Sequence, residues 1–343
     1  MTKILVTGAS GYIGSHTMID LLNNDFEVVG VDNQINSSAK AYDRIKTITG
    51  KSFKSYHVNL CNKNDLFAVF EENPELKAVI HFAALKSVEE SMAKPFLYYE
   101  NNLVGLINLL EAQDKYNVQH HIFSSSCTVY GNTSDLPVTE NSAWNTAESP
   151  YGLTKQLGES MIENMCKIKP YFKASALRYF NPAGAHPSAL LGEAAIVEVR
   201  NLIPLIMEVG FGKRAQLLVF GNDYPTRDGT NIRDYIHIMD LAHSHTLALK
   251  HLLSEESKSN YSVYNIGSGT GVSILEAIHA FEKISDKKLN FKIVDRRPGD
   301  VIAIYADFAK AEKELGWRPQ YSIEDIMQSA WKWEKNKVEF LGN

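Results

Sequence analysis

A tyrosine and a lysine stand four residues apart at the start of a long helical pattern. Tyr151 and Lys155 lie in the segment SPYGLTK and share one face of a helix predicted over residues 151–169, because positions i and i+4 are neighbours on a helix. An ammonium group beside a phenol favours the phenolate and lowers a pKa that is otherwise near ~10. Such a phenol acts as a general base toward an alcohol. The pair alone is often a surface coincidence, so its interpretation depends on the motifs around it.

The same helix carries an apolar stripe. The stripe consists of Leu153, Leu157, Met161, Met165 and Ile168. At about 3.6 residues per turn, Tyr151 lies about 200° around the helix from Leu153. We therefore expect the stripe to pack against the core and the Tyr151–Lys155 pair to face away from it, toward a ligand.

A serine-rich segment follows a predicted strand at residues 121–125. In an open α/β sheet, ligands bind at the carboxyl ends of the strands. The hydroxyl of Ser126, in the segment FSSSCTVYG, would there reach both a substrate alcohol and Tyr151. A serine-rich strand end is otherwise an ordinary turn.

Three glycines at the spacing GxxGxxG follow the first strand, Lys3–Thr7, and open a helix predicted over residues 13–23. Gly8, Gly11 and Gly14 let the backbone turn tightly and approach a pyrophosphate, which then meets free N–H groups at the helix N-terminus. The strand before and the helix after make this a dinucleotide-binding pattern.

Asp32 ends the second predicted strand, 18 residues beyond Gly14. A carboxylate at this position accepts hydrogen bonds from a ribose 2′-hydroxyl and repels a 2′-phosphate. No arginine occupies residues 32–36, so the sequence favours NAD over NADP.

The elements that position these residues alternate between strand and helix, which predicts an α/β fold with a doubly wound parallel sheet. Further strands are predicted at residues 27–31, 53–58, 78–82 and 174–179, and helices at 66–70 and 97–113. Later residues are loop-rich, with a polar loop at 221–233, strands at 216–219, 263–266 and 290–294, and helices at 239–253, 273–284 and 323–335. We predict an NAD-binding Rossmann-type domain over residues 1–180 and a smaller mixed α/β substrate domain over 181–343, from which some segments return to the first.

Composition narrows the class of protein. The 343 residues suggest about two domains at roughly 150 residues each. The net charge of −5 argues against a nucleic-acid surface. Three cysteines at wide spacing argue for buried thiols in a reducing cytoplasm rather than disulfides or zinc. His243 and His245 point apart on a helix, so no metal site is expected, and no apolar run approaches the ~20 residues of a membrane span.

Together these features resemble the extended short-chain dehydrogenase/reductase family, and within it the enzymes that invert C4 of UDP-hexoses. The resemblance covers the chain essentially end to end, and its block at residues 220–242 is far more specific than a glycine loop. The matching segments are VTGASGYIGSH at 6–16, VDN at 31–33, HFAALKSVEES at 81–91, FSSSCTVYG at 123–131, SPYGLTK at 149–155, LRYFNPAGAHPS at 177–188, FGNDYPTRDGTNIRDYIHIMDLA at 220–242 and RRPGD at 296–300.

The resemblance implies reversible epimerisation of UDP-galactose and UDP-glucose in galactose metabolism. Tyr151, assisted by Ser126 and Lys155, would take the proton of the sugar 4-hydroxyl while hydride passes to tightly held NAD. The 4-keto sugar would turn and take the hydride back on its other face. The nucleotide must then be held firmly and the sugar loosely. A homodimer built on helices at residues 97–113 and 151–169 is implied as well.

The resemblance also implies binding residues, position by position. Those for the cofactor are Gly8, Gly11, Tyr12, Ile13, Gly14, Asp32, Asn33, Asn36, Ser37, Asn59, Leu60, Phe82, Ala83, Ala84, Lys86, Asn101, Ser126, Tyr151, Lys155, Tyr179 and Phe180. Those for the substrate are Lys86, Ser126, Tyr151, Asn181, Asn201, Leu202, Leu218, Phe220, Arg233, Arg297, Asp300 and Ile304. Lys86 would neutralise the pyrophosphate, and the guanidinium forks of Arg233 and Arg297 would grip the UDP phosphates. Phe220 would line the uracil site and Asp300 would accept from a ribose hydroxyl.

Three positions depart from the family pattern. Asn59 replaces an aspartate at the adenine edge, and Arg200 precedes Asn201 where a second asparagine is common. Ile304 stands where a tyrosine excludes an N-acetyl group and smaller residues admit it, so a dual-specificity enzyme that also acts on UDP-N-acetylglucosamine and UDP-N-acetylgalactosamine stays open.

Two other functions are compatible with parts of this pattern. A nucleotide-sugar 4,6-dehydratase needs an acid and a base beside the strand-end serine, yet Cys127 and Thr128 follow Ser126. A non-catalytic NAD-sensing regulator need not keep Tyr151, Lys155 and Ser126 together. The remaining histidines within the matched motifs are expected to be structural; they are His16, His81, His186 and His237.

Overall fold

A computed structural model describes residues 1–194, 199–254, 257, 259–297 and 300–341 of the chain. Its strands are β1 Lys3–Thr7, β2 Glu27–Asp32, β3 Lys54–His57, β4 Leu76–His81, β5 His120–Ser126, β6 Lys173–Tyr179, β7 Asn181–Ala183, β8 Leu217–Phe220, β9 Ile232–His237, β10 Tyr261–Ile266, β11 Gly271–Ser273, β12 Phe291–Val294 and β13 Ala303–Ile304. Its α-helices are α1 Tyr12–Asn23, α2 Lys40–Thr49, α3 Lys63–Glu71, α4 Val88–Ala93, α5 Pro95–Tyr99, α6 Gly105–Lys115, α7 Pro150–Ile168, α8 Leu202–Gly210, α9 Ile238–Leu253, α10 Ile274–Ser285, α11 Ala309–Leu315 and α12 Ile323–Leu341.

Seven parallel strands form the main sheet in the order β10-β6-β5-β4-β1-β2-β3. Successive residues of β1 point to opposite faces: Ile4 and Val6 belong to one buried apolar cluster, which includes α1 and α9, and Leu5 belongs to another, which includes α3 and α6. Helices therefore cover both faces, as the alternating pattern predicted. The strand order reverses between β1 and β4, and this switch point is where open α/β sheets bind their ligands.

Strand β10 comes from well beyond residue 180 and still belongs to the main sheet. It pairs in parallel with β6, from Tyr261 opposite Ala174 to Ile266 opposite Tyr179. Helix α9 likewise packs against α1. The later part of the chain thus completes the first sheet, and the division at residue 180 stays a prediction.

The rest of the chain forms a smaller unit. Strand β9 pairs with β7, β11 and β13, and β8 pairs with β12. An apolar core that includes Ile206, Phe281 and Met327 packs α8, α10 and α12 together. The polar loop predicted to reach residue 233 ends earlier, because Ile232 and Arg233 already form the start of β9.

Helix α7 packs through a different face from the one predicted. Its buried residues are Gly152, Thr154, Lys155, Gly158, Glu159, Ile162 and Cys166. The predicted stripe packs only in part: Leu157 is 39% exposed and Ile168 is 66% exposed, whereas Met161 and Met165 are partly buried against the core. A side chain at Gly158 would collide with the ring of Phe123 on β5. The expectation was therefore only partly right, because small residues such as Gly158 bring another face of this helix against the sheet.

Two smaller expectations also need correction. The helix predicted over residues 97–113 is interrupted by a π-helical turn, Glu100–Val104, between α5 and α6. Only Cys166 of the three free cysteines is fully buried, since Cys61 and Cys127 are partly exposed. Among the helices of the described residues, none is long and apolar enough to cross a membrane.

Candidate active site

The glycine loop between β1 and α1 lies against the residues that follow β4. Gly8 has a positive φ of 67°, and a Cβ there would stand 2.7 Å from the main-chain nitrogen of Ala83. A Cβ at Gly14 would collide with the Gly8 carbonyl oxygen. Gly11 begins α1 without a side-chain cap, which leaves amide donors of the first turn available to an anion.

Asp32 closes this loop from the end of β2. Its Oδ2 accepts from the Ser10 N–H at 3.0 Å, and its Oδ1 accepts from the Gln34 N–H at 2.7 Å and the Ser37 hydroxyl at 3.0 Å. A carboxylate offers about four lone-pair positions, so one remains on Oδ2 for a ribose hydroxyl. Of the two asparagines predicted beside it, Asn33 caps the turn through Oδ1 to the Ile35 N–H, and Asn36 is exposed.

The predicted adenine edge lies beside Asp32. The Val58 N–H donates to the Asp32 carbonyl oxygen at 3.2 Å, so the strand ends are adjacent. Asn59 is exposed, and its Oδ1 accepts from the Cys61 N–H at 3.0 Å. Leu60 is buried. The asparagine therefore shapes this turn, and its side chain is exposed beside the predicted adenine edge.

The segment after β4 contains Phe82, Ala83 and Ala84 and is held by a residue that sequence analysis missed. Buried Asn102 accepts from the Leu85 N–H at 2.8 Å and donates to the Leu85 carbonyl at 3.0 Å. It also donates to the Thr154 hydroxyl at 3.2 Å, which ties this loop to α7. The π-helical turn presents Asn102 inward and leaves Asn101, the predicted cofactor residue, partly exposed.

Glu193 contacts both Lys86, which is predicted to bind the pyrophosphate, and Asn201, which is predicted to bind the substrate. Its carboxylate lies 3.2 Å from the ammonium of Lys86 and accepts from the Asn201 amide at 3.4 Å. Lys86 stands on the loop after β4 and Asn201 at the start of α8, beside Leu202. Arg200 pairs with Glu89 at 2.5 Å.

Tyr151, Ser126 and Lys155 meet at the carboxyl end of β5. The ammonium of Lys155 lies 5.8 Å from the centre of the Tyr151 ring and 5.0 Å from that of Phe123. Burial raises the pKa of Tyr151 to about 12, and a hydrogen bond with Ser126 opposes this rise. The pKa of Tyr151 is therefore not lowered overall, contrary to the expectation, because removal of the phenol from water dominates.

Burial acts on Lys155 in the opposite direction. It lowers the pKa of the ammonium to about 8, and the charge of Glu159 one helical turn away opposes the change. The Nζ atom donates to the Ser124 carbonyl at 2.6 Å. A lysine with a pKa of about 8 loses its charge at mildly alkaline pH.

Tyr179, at the end of β6, donates to a neutral histidine. The Nδ1–H of His245 donates to the Leu241 carbonyl at 2.7 Å, so its Nε2 accepts from the Tyr179 hydroxyl. Burial lowers the pKa of His245 to about 4, which fits this tautomer. The ring of Phe82 lies 4.7 Å from the imidazole. His245 thus orients Tyr179 and is not a free base.

The predicted UDP-binding residues cluster around β8, β9 and the segment before β13. Arg233 donates to the carbonyls of Ile232 and Val301 and lies 3.9 Å from Asp300. The Arg297 guanidinium lies over the Phe220 ring at 4.4 Å. Leu218 is exposed, and the Asn181 amide donates to the Asp234 carbonyl at 3.2 Å. Pro298 and Gly299 of the RRPGD segment lie outside the described residues.

Ile304 is buried among residues that border Ser126. Its cluster includes Val129, Phe180 and partly buried Cys127. Buried Asp234 fixes the neighbouring segment, since its carboxylate accepts from Ala306 N–H at 3.0 Å and from the main chain and hydroxyl of Ser268 at 2.7 and 2.6 Å.

The histidines of the matched motifs are buried or partly buried, and burial lowers their pKa values. The His81 ring bonds the Thr7 hydroxyl at 2.7 Å, and the pKa of His16 falls to about 3. His237 caps α9 by accepting from the Met239 N–H at 3.1 Å. No group of three or more His, Cys, Asp or Glu residues in the described part of the chain is placed to hold a metal ion.

The chain is similar to known proteins over nearly its whole length. The family model described as GDP-mannose 4,6 dehydratase matches residues 5–330. A UDP-glucose 4-epimerase of Bacillus subtilis (strain 168) is 47% identical over 335 residues, which cover 98% of this chain and 97% of that relative. The chain belongs to the UDP-glucose 4-epimerase family.

Solved structures of UDP-glucose 4-epimerases share the whole fold. That of Bifidobacterium longum, in complex with NAD⁺ and UDP, has a TM-score of 0.93 at 44% identity, with 98% of each chain covered. That of Stenotrophomonas maltophila, with bound NAD and formylated UDP-arabinopyranose, has a TM-score of 0.95 at 40% identity, with 99% of each chain covered.

The described residues that directly follow Ser126 do not include the acid–base pair expected of a dehydratase. Cys127 follows Ser126, and burial raises the pKa of its thiol to about 12, so it stays neutral. Among the described residues, those that act on the pKa of Tyr151 are Ser126, Cys127 and Tyr98, none of which is a carboxylate.

Several residues that shape this site were not found from sequence. Their contacts join segments far apart in the chain, and sequence offered only partial hints, such as the neighbouring pair Asn101–Asn102. They are Asn102, Glu193, Asp234 and His245.

Proposed function

We propose that the chain interconverts UDP-galactose and UDP-glucose by inverting the configuration at C4. The observation that carries the proposal is the meeting of Tyr151, Ser126 and Lys155 at the end of β5, beside the glycine loop. Similarity to UDP-glucose 4-epimerases over nearly the whole chain supports the same activity.

The loop around Gly8, Gly11 and Asp32 fits NAD. The glycines form a cradle that a Cβ would fill, the start of α1 has amides without a side-chain cap, and Asp32 has an acceptor position left for a ribose hydroxyl. Lys86 would lie near the pyrophosphate, and its ion pair with Glu193 restrains the position of its ammonium group. Bound NAD would supply the acceptor and donor of hydride for C4.

Tyr151 transfers the proton of the sugar hydroxyl. Its phenol oxygen takes the proton of the sugar 4-hydroxyl and returns it when the hydroxyl re-forms. A buried phenol with a pKa of about 12 gives up its own proton reluctantly, so it needs positive charge nearby before it can act as a base. Lys155 supplies that charge, and Ser126 orients the sugar hydroxyl toward the phenol oxygen.

The cleft side formed by the smaller unit holds the UDP part. Arg233 and Asp300 face each other at 3.9 Å, which places a phosphate-binding fork beside an acceptor for ribose. Arg297 and Phe220 offer a cation and an aromatic face together. The sugar meets mainly apolar walls near Ile304 and Phe180, which leaves it free to turn.

We also propose a homodimer. Val104 and Ile107 point outward from the π-helical turn and α6, and Leu157 and Ile168 point outward from α7. We propose that these side chains belong to one apolar surface, which a single chain leaves in water. Two-fold pairing of the same surface would cover it on both copies. The free thiols suit a cytoplasmic location, which we propose as well.

The decisive experiment mixes the purified protein with UDP-galactose, without added NAD, and follows UDP-glucose. Product establishes both the reaction and a retained cofactor. Product that forms only after NAD is added means that the cofactor is held weakly. No product from a folded, NAD-loaded protein rejects the proposed function.

A further inference from the structure

A buried ion pair lies directly behind the proposed catalytic residues. Glu159 and Arg178 are almost fully buried, and the Glu159 carboxylate accepts from Arg178 Nε at 2.9 Å and from Nη2 at 2.7 Å. The same carboxylate accepts a hydrogen bond from the hydroxyl of Ser125. Neither residue is assigned a role in the proposed reaction.

The three partners adjoin the site on three separate elements. Glu159 follows Lys155 by one helical turn on α7, so Tyr151, Lys155 and Glu159 lie on one face. Ser125 and Arg178 are opposite each other on β5 and β6, and Ser126 and Tyr179 form the next pair in the register. The network therefore fixes Ser125, which directly precedes Ser126 on β5, and it includes Arg178, which directly precedes Tyr179 on β6.

The network also reaches the turn that follows Ser126. Arg178 Nη1 donates to the Tyr130 hydroxyl at 3.0 Å, and that hydroxyl donates to Asn265 Oδ1 at 2.5 Å. Tyr130 ends the 3-10 turn that begins directly after Ser126. Ser126 is thus held on both sides, through Ser125 before it and Tyr130 after it.

Stability alone is a weak explanation for this arrangement. Replacement of a buried ion pair by apolar residues of similar volume is often neutral or stabilising, since desolvation of the two charges offsets their attraction. An ion pair with fixed geometry instead sets where its partners lie.

We propose that Glu159 and Arg178 are positioning residues, which act through Ser125 and α7 to fix the distance between the Ser126 hydroxyl and the Lys155 ammonium. The inference rests on the proposed function. The Ser126 hydroxyl must reach a sugar hydroxyl while the Lys155 ammonium places a positive charge beside Tyr151. A displacement of Ser126 relative to Lys155 would separate two groups that act on the same proton transfer.

Ser125→Ala tests the contact with the smallest change. It removes one hydroxyl and leaves the ion pair intact. We expect kcat to fall about 10- to 100-fold, with KM for UDP-galactose and NAD content unchanged, because displacements of about 1 Å can cost up to this much. Ser175→Ala is the matched control: Ser175 is equally buried on β6, and its hydroxyl has no partner among the described residues. We expect its kcat to equal that of the parent.

The double variant Glu159→Met with Arg178→Met removes both charges at similar volume. We expect a folded, NAD-loaded protein with lowered kcat and unchanged KM. A kcat within twofold of the parent, in either this variant or Ser125→Ala, overturns the inference.

Crystal structures of Ser125→Ala and Ser175→Ala provide a readout that needs no activity. The Ser126 hydroxyl or the Lys155 ammonium should move in the first and not in the second. If the parent interconverts neither sugar, the proposed function has failed, and these structures alone decide the positioning inference. Unmoved groups in Ser125→Ala reject it.

Discussion

The ammonium of Lys155 donates a hydrogen bond to the main-chain carbonyl of Ser124 at 2.6 Å. This bond anchors the lysine to the strand that carries Ser126. It also turns the lysine side chain toward the end of β5.

The pH dependence of activity should follow this lysine. Burial lowers the pKa of Lys155 to about 8, so the ammonium loses its charge as the pH rises through that value. Because the neutral amine no longer favours the Tyr151 phenolate, kcat/KM should decline above about pH 8. In Lys155→Arg the cation persists at all these pH values, so the alkaline decline should vanish even if the overall rate is lower. Identical alkaline limbs in parent and variant would count against Lys155 as its source.

Tyr151→Phe removes the proposed base. We expect kcat to fall by about 10²- to 10⁴-fold, the usual contribution of general base catalysis, with NAD still bound. Product formation and the NAD released on denaturation are the measurements. Exposed Tyr171, changed to Phe, is the control and should retain full activity. Near-normal turnover of Tyr151→Phe would remove it as the base.

Asp32→Ala tests the ribose contact. Loss of a charged acceptor should weaken NAD retention by about 10- to 100-fold, since such hydrogen bonds contribute ~1.5–3 kcal/mol, and should let NADP compete. Calorimetric titration of the stripped protein with each nucleotide measures both effects. Asp43→Ala, an exposed carboxylate on α2, should change neither. Unaltered affinity and preference in Asp32→Ala would contradict the assignment.

Ile304→Ala should widen the wall near the sugar. We expect turnover of UDP-N-acetylgalactosamine to improve relative to UDP-galactose. The buried position implies a stability cost of roughly 2–5 kcal/mol, so thermal melting should accompany the kinetics. Ile302→Ala, a neighbouring exposed isoleucine, is the control. An unchanged substrate ratio in folded Ile304→Ala would show that this residue is no gate.

Ile107→Glu tests the homodimer. Ile107 is 46% exposed, and a charge there would be buried against the second copy, so light scattering should report a monomer. Ile293→Glu, at a 40% exposed position on the smaller unit, should leave the assembly intact. If Ile107→Glu stays dimeric, or the parent is already monomeric, the proposed surface is wrong.

Local patterns were enough for the parts of this site that lie close together in the chain. The spacing of Gly8, Gly11 and Gly14 between a strand and a helix is a property of a few consecutive residues. The i, i+4 relation of Tyr151 and Lys155 follows from helix geometry, and alternating elements were enough to predict the parallel sheet. Likewise, Asp32 at the end of β2 needed only the strand pattern and a count of residues.

Tertiary structure decided which face of α7 is buried and what surrounds its catalytic pair. An apolar stripe indicates a surface that avoids water, but it does not say which part of it this chain covers, and Gly158 brings a neighbouring face against Phe123. The pKa of Tyr151 likewise depends on burial, which no spacing reports. Contacts such as Asn102 to Leu85 and Glu159 to Arg178 join residues of different elements, so only the packing of those elements brings them together.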